Sequence, residues 1–221
     1  MASQIAHIVY AKKYFESIDN GKTDPDFLDE TKIRGAQKIN RDEFLLGAVF
    51  PDIRRIEPSI KRGETHLKFP VVNLDFSGLT SFDAGWKFHL YCDMRREEIL
   101  NRQNFFELEE ATKFAGAPVK LLEDELVYDE YNNWEKLVNY FRNPPLIDLG
   151  ILVDKKTFVL WYAILAKYIE RKPDEKAMRI FLAKQLNRKQ RTDEVMEAFR
   201  VLKRNGAVTK ALTAVKDEII K

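Results

Sequence analysis

The sequence predicts an all-α protein, and three observations predict it. From residue 81 onward apolar residues recur with a helical period almost without interruption. Proline and glycine are sparse, 8 and 9 in 221 residues, so few positions break or kink a helix. No stretch sustains the two-residue alternation of a half-buried strand. With 45% hydrophobic residues the chain can bury one core, and it reads as a single helical domain over 1–221.

Each element has its own signal. Ser3 reads as the cap of a first helix over about 4–19, with Ile5, Ile8, Phe15 and Ile18 toward the core. Residues 19–43 form a polar connection with room for a short helix. EFLLGAVF (43–50) is a short buried helix ended by Pro51. Residues 52–80 hold Pro58, Gly63, Pro70 and Gly78 with no sustained period, so they read as a long irregular loop with a brief extended piece at 68–76. A loop of that length inside a compact domain is commonly functional. Ser81 caps a helix over 82–102, and another follows from about Phe105 to Phe114. Pro118 opens a long helix to Phe141, which Pro144 and Pro145 break. KKTFVLWYAILAKYIE (155–170) is apolar nearly all round and therefore central. Three amphipathic helices, about 173–187, 192–206 and 207–221, complete the chain.

Net charge is +2, from 37 basic and 35 acidic residues. That balance argues against a dedicated nucleic-acid binder, which must neutralise many phosphates. The ten Lys and Arg against five Asp and Glu over 181–221 read as a solvated helical face. A single cysteine, Cys92, cannot form an internal disulfide, and the N-terminal residues lack a basic segment followed by an apolar one. The most apolar stretch is interrupted by Lys167 and is too short to span a bilayer. The expectation is a cytoplasmic protein with no transmembrane segment.

The three histidines, His7, His66 and His89, all lie in the first 93 residues. His89 and Asp93 share one helix face at i, i+4. Asp52 follows Pro51 at the end of the apolar FLLGAVF run, and His66 lies in the irregular loop. Asp52, His66, His89 and Asp93 make a four-ligand set of the nitrogen and oxygen donors that zinc accepts. Taken singly, each has a plainer explanation, as a hydrogen-bonding residue or an intrahelical ion pair.

Four pieces in this order, AHIVYAKKYFE, FLLGAVFPDI, THLKF and AGWKFHLYCD, resemble the zinc-dependent phospholipase C family, whose architecture is shared with the single-strand-specific zinc nucleases. The resemblance covers about residues 4–100. It implies a multi-helix bundle of that type, with a metal-site half at about 1–130 and a helical C-terminal part at about 131–221. It implies that Asp52, His66, His89 and Asp93 ligate one ion, and that His7 belongs to a second, which Asp93 bridges. The cofactor implied is zinc, one or two ions, with another divalent metal as the alternative. The implied activity is hydrolysis of a phosphoester substrate, with Asp52 as the catalytic carboxylate that orients water. The sequence departs from the family in having no histidine after His89. Glu97, Glu123, Asp124, Glu125 and Asp129 are the carboxylates available in place of the missing imidazoles, and each taken singly is better explained as a solvated helix charge with i, i+4 partners. Arg54, Arg55, Lys61 and Arg62 are candidate phosphate contacts. Cys92 reads as a small buried hydrophobe before a soft ligand. A non-catalytic helical protein that keeps the metal for stability or for partner binding is the alternative to a hydrolase.

Overall fold

The computed structural model describes residues 3–21, 39–186 and 191–221. Among them are eleven α-helices, three short 3-10 turns and no strand. The short helix expected within 19–43 falls mostly outside the described residues.

Helix α1 (Gln4–Asp19) has the expected bounds but not the expected cap. Ser3 occupies the cap position without a side-chain bond to the helix. The amides of Ile5 and Ala6 instead donate to Asp124 Oδ1, at 2.8 and 3.2 Å, from a helix more than a hundred residues away in sequence. A buried helix end needs such acceptors, and here a distant carboxylate supplies them in place of the Ser3 hydroxyl.

Helix α2 (Arg41–Val49) begins at Asn40, whose side chain accepts the amides of Asp42 and Glu43. Pro51 tightens the chain rather than simply ending the helix: residues Phe50–Arg55 form a 3-10 turn with Pro51 in its first turn. Proline donates no N–H, so the last carbonyls of α2 need other partners. Phe50 N–H reaches Gly47 O. Tyr162 Oη donates to Leu46 O at 2.9 Å and Trp161 Nε1 to Val49 O at 3.1 Å, both from α8 (Lys155–Ile169). His89 Nδ1 takes Ala48 O at 2.9 Å, from α4 (Ser81–Arg102). Completing one helix end thus fixes where two others pack, and it orients His89.

Helices α2 and α4 cross backbone to backbone. A Cβ on Gly47 would lie 2.0 Å from Phe82 O, and one on Gly85 would lie 1.9 Å from Phe44 O. The two glycines are what permit the approach. Thr80, not Ser81, caps α4, accepting the amide of Asp83; Ser81 Oγ accepts the amide of Asn40 and ties the two helix starts together.

Between them lies α3 (Arg62–His66) and then an irregular stretch to residue 80. The extended piece expected at 68–76 does not form a strand. Asn73 and Asp75 accept the amides of Asp75 and Ser77 in tight local turns, which compete with ladder formation. The helix expected over 118–141 is two. Helix α5 (Glu109–Lys113), preceded by a 3-10 turn at Phe105–Glu107, leads into α6 (Ala117–Val127). A 3-10 turn, Tyr128–Glu130, then separates α6 from α7 (Trp134–Arg142). The ring of Trp134 stacks on Tyr128 at 4.6 Å and its Nε1 donates to Tyr128 O, closing the bend. A helical hydrophobic period persists through that bend, which is why the sequence does not disclose it.

Helix α8 is not buried all round: Leu160, Ala163 and Lys167 form an exposed stripe. Helices α9 (Glu175–Ala183), α10 (Thr192–Arg204) and α11 (Gly206–Glu218) follow. Helix α10 packs on α6 and α11 on α4. No described helix is long and apolar enough to cross a membrane.

Candidate metal centre

His7, Asp52, His66, His89 and Asp93 come from α1, the 3-10 turn, α3 and α4, and all five are buried. The tightest convergence is His7, His89 and Asp93, whose ligand atoms lie within 4.8 Å of one another. His7 Nε2 is 3.5 Å from Asp93 Oδ1, and His89 Nε2 is 3.7 Å from Asp93 Oδ2. Ligands about 2.1 Å from one tetrahedral centre sit about 3.4 Å apart, so these spacings suit a shared ion. The rings of His7 and His89 stack, 3.9 Å apart and 9° from parallel. His66 stands edge-on to His89 with centroids 5.5 Å apart. The grouping differs from the one expected from sequence: His7, assigned there to a second ion, shares the closest cluster, while His66 and Asp52 lie around it.

The three imidazoles are fixed in the same way. His7 Nδ1 is 2.7 Å from Ser3 O, His89 Nδ1 is 2.9 Å from Ala48 O, and His66 Nδ1 is 2.8 Å from Thr65 Oγ1. A carbonyl only accepts, so His7 and His89 each donate from Nδ1, which leaves Nε2 as the ring nitrogen that faces Asp93. All three Nε2 atoms are buried and make no hydrogen bond among the described residues. Trp86 Nε1, donating to Thr65 O at 2.6 Å, anchors the segment that carries His66.

Electrostatics prepares the donors. Burial pushes His66 down to about 4 and His89 well below the usual imidazole range, so both are neutral at pH 7. Burial alone would raise the Asp93 carboxyl, but the adjoining His89 and His7 outweigh it and hold the carboxyl far below its usual range. Asp52 behaves likewise: burial opposes its ionisation, and Arg55, Lys120 and His89 overcome that. Arg55 Nη2 and Gln4 Nε2 bind Asp52 Oδ2 at 2.8 and 2.6 Å, whereas Oδ1 makes no hydrogen bond.

The replacement carboxylates have other partners. Glu97 is exposed. Glu123 is buried between Arg96 Nε at 2.8 Å and Tyr10 Oη at 2.7 Å. Asp124 caps α1 and accepts from Tyr168 Oη at 2.9 Å. Asp129 is on the surface, paired with Lys172. Cys92 is buried, and burial raises its thiol well above the usual value. Of the cations between Asp52 and His66, Arg55 and Arg54 lie against Asp52, while Lys61 and Arg62 are exposed.

Gln4 and Lys120 are residues the sequence reading missed. Lys120 lies one helical turn before Asp124 between apolar Val119 and Leu121. That spacing was the available signal: two charges on one stripe of an otherwise apolar helix face. No family model, curated protein or solved structure matches this chain.

Proposed function

We propose that His7, His89 and Asp93, with His66 and Asp52 beside them, bind a divalent transition ion, zinc by donor type, and that the site hydrolyses a phosphoric ester. One observation carries the reading: three buried imidazoles from three helices, each held through Nδ1, leave Nε2 without a partner beside a carboxylate. Leaving buried polar atoms unsatisfied is costly, and ligating imidazoles are held through the other nitrogen in just this manner. Bound there, the ion supplies Lewis acidity toward a phosphoryl oxygen and toward water. Asp52 stays ionised and its pKa is too low for an efficient base near neutral pH. Its Oδ1 is suited to orient water, and Arg55 and Gln4 hold the carboxylate still for that role. The resemblance to the zinc-dependent phospholipases supports the same reaction class.

The test compares the parent with His89→Ala, each melted with and without EDTA, alongside zinc content and turnover of p-nitrophenyl phosphate and its bis-ester. Zinc at about a thousandfold excess over its Kd adds about 4 kcal/mol, or about 10 °C for a protein of this size. The parent should lose that increment in EDTA and His89→Ala should lack it. A parent that holds no zinc and is indifferent to EDTA refutes the site. Stoichiometric zinc without ester turnover leaves a structural metal.

A further inference from the structure

Beside Gln4 and Arg55, the partners of Asp52, lies a small, partly open pocket of about 20 Å³, whose polar lining is Ser3, Gln4, Arg55, Lys120, Asp124 and Gln185, with apolar side chains of α6 and α9 completing it. Three polar atoms of these residues, Gln4 Oε1, Arg55 Nε and Lys120 Nζ, are buried without a hydrogen bond among the described residues. Lys120 is the anomaly. The charges of Asp52 and Asp93 both act on it, yet it joins no ion pair among the described residues. A buried ammonium with no contacting acceptor is costly unless a ligand supplies one. The cavity has room for about one water-sized atom, hence for one ligand oxygen. Asp52 Oδ2, bonded to both Gln4 and Arg55, joins this cavity to the metal cluster.

We propose that Lys120 and Arg55 form the anion-binding wall of the site, and that its substrate class is the dianionic phosphate monoester rather than the diester. The proposal rests on the metal-site reading. Ligating imidazoles are neutral. Arg55 lies 2.8 Å and Arg54 3.9 Å from Asp52, and the charge of Asp93 acts on Lys120. With a divalent ion bound, the cations of the site exceed its carboxylates by at least two charges, which an ionised monoester matches more fully than a diester with its single negative charge. Lys120 meets the non-bridging oxygen that a diester has converted to an ester linkage.

The experiment uses the zinc-loaded full chain and Lys120→Met, with Lys120→Arg as rescue. Calorimetry measures inorganic phosphate against dimethyl phosphate at pH 7.5, and kinetics follow p-nitrophenyl phosphate against its bis-ester, with zinc content as the control. Zinc should be equal in all three proteins. Phosphate should bind the parent at least tenfold more tightly than dimethyl phosphate. Lys120→Met should lose that tenfold and raise KM for the monoester, with kcat and the dimethyl phosphate affinity little changed, and arginine should restore most of it. Equal affinity for the two anions in the parent, or a Lys120→Met variant that weakens both alike, overturns the proposal. A parent that takes up no zinc defeats the metal reading separately. Phosphate calorimetry on the metal-free chain then decides the wall: Lys120-dependent binding supports it, and no binding overturns it.

Discussion

Gly47→Ala should destabilise the protein by about 1–5 kcal/mol although alanine is the better helix former, and should weaken metal binding at a residue that is no ligand. The new Cβ would stand 2.0 Å from Phe82 O, whereas carbon and carbonyl oxygen approach only to about 3.3 Å. Helices α2 and α4 must therefore separate locally by about 1.3 Å, a distance estimated from that contact limit. The His89 Nδ1 bond to Ala48 O, 2.9 Å long, lies one residue from the clash and would stretch beyond hydrogen-bonding range. Overpacking costs about 1–3 kcal/mol and a broken buried hydrogen bond about 1–3 kcal/mol. Removing a helix-interior glycine returns about 1 kcal/mol. Gly63→Ala is the control, because nothing lies within 4 Å of its Cβ position; it should be neutral or stabilise by up to about 1 kcal/mol. Urea unfolding in EDTA reads both, as a lower midpoint at unchanged slope for Gly47→Ala, and competition with a chelating dye reads the loss of zinc affinity. If Gly47→Ala is as stable as the parent and binds zinc as well, the close crossing does not orient His89.

Three further outcomes follow from buried charges. Lys120 is pushed down to about 8 by burial and then by Arg55, against 10.5 unfolded. The unfolded chain holds the extra proton between those values, so stability of the metal-free parent should rise with pH from about 8 to 10.5. Lys120→Met should be more stable at pH 7 by up to about 3 kcal/mol, and urea titrations should show that gain vanish across the same window. Asp124, raised by burial to about 7 from 3.8, keeps a proton that the unfolded chain has lost, so parent stability should fall between pH 4 and 7 on its account. Asp124→Asn, which keeps an acceptor for Ile5 and Ala6, should flatten that slope; an unchanged slope in the same titrations would count against the raised carboxyl. Arg96→Met should cost about 3–5 kcal/mol by stranding buried Glu123, and adding Glu123→Leu should recover most of it in thermal melts.

The periodicity of the sequence determined that the chain is helical, because burying one face of a helix forces a 3.6-residue repeat whatever the helix packs against. It placed α1 and α4 within a residue or two, where apolar runs begin beside polar starts. The same signal ran straight through Tyr128–Trp134, because the aromatics that fold α6 back onto α7 are themselves apolar and keep the period. It could not cap α1, since the acceptor is Asp124, distant in sequence and on another helix. For the candidate site, residue type and spacing marked Asp52, His66, His89 and Asp93, for imidazoles are few and a Pro-Asp step after an apolar run is uncommon, while His7 entered through the family resemblance. Which of them draw closest was decided by tertiary structure. The Gly47–Gly85 crossing sets His89 against Ala48 O, and the start of α1 brings His7 onto the same carboxylate. Gln4 and Arg55 then occupy one oxygen of Asp52. Lys120 entered through packing as well: only the docking of α6 beside the start of α1 and the 3-10 turn turns an ordinary helix lysine into a buried charge. Local pattern specifies elements because each helix answers to its own solvent boundary, while a site is made of distances between elements, which no single segment encodes.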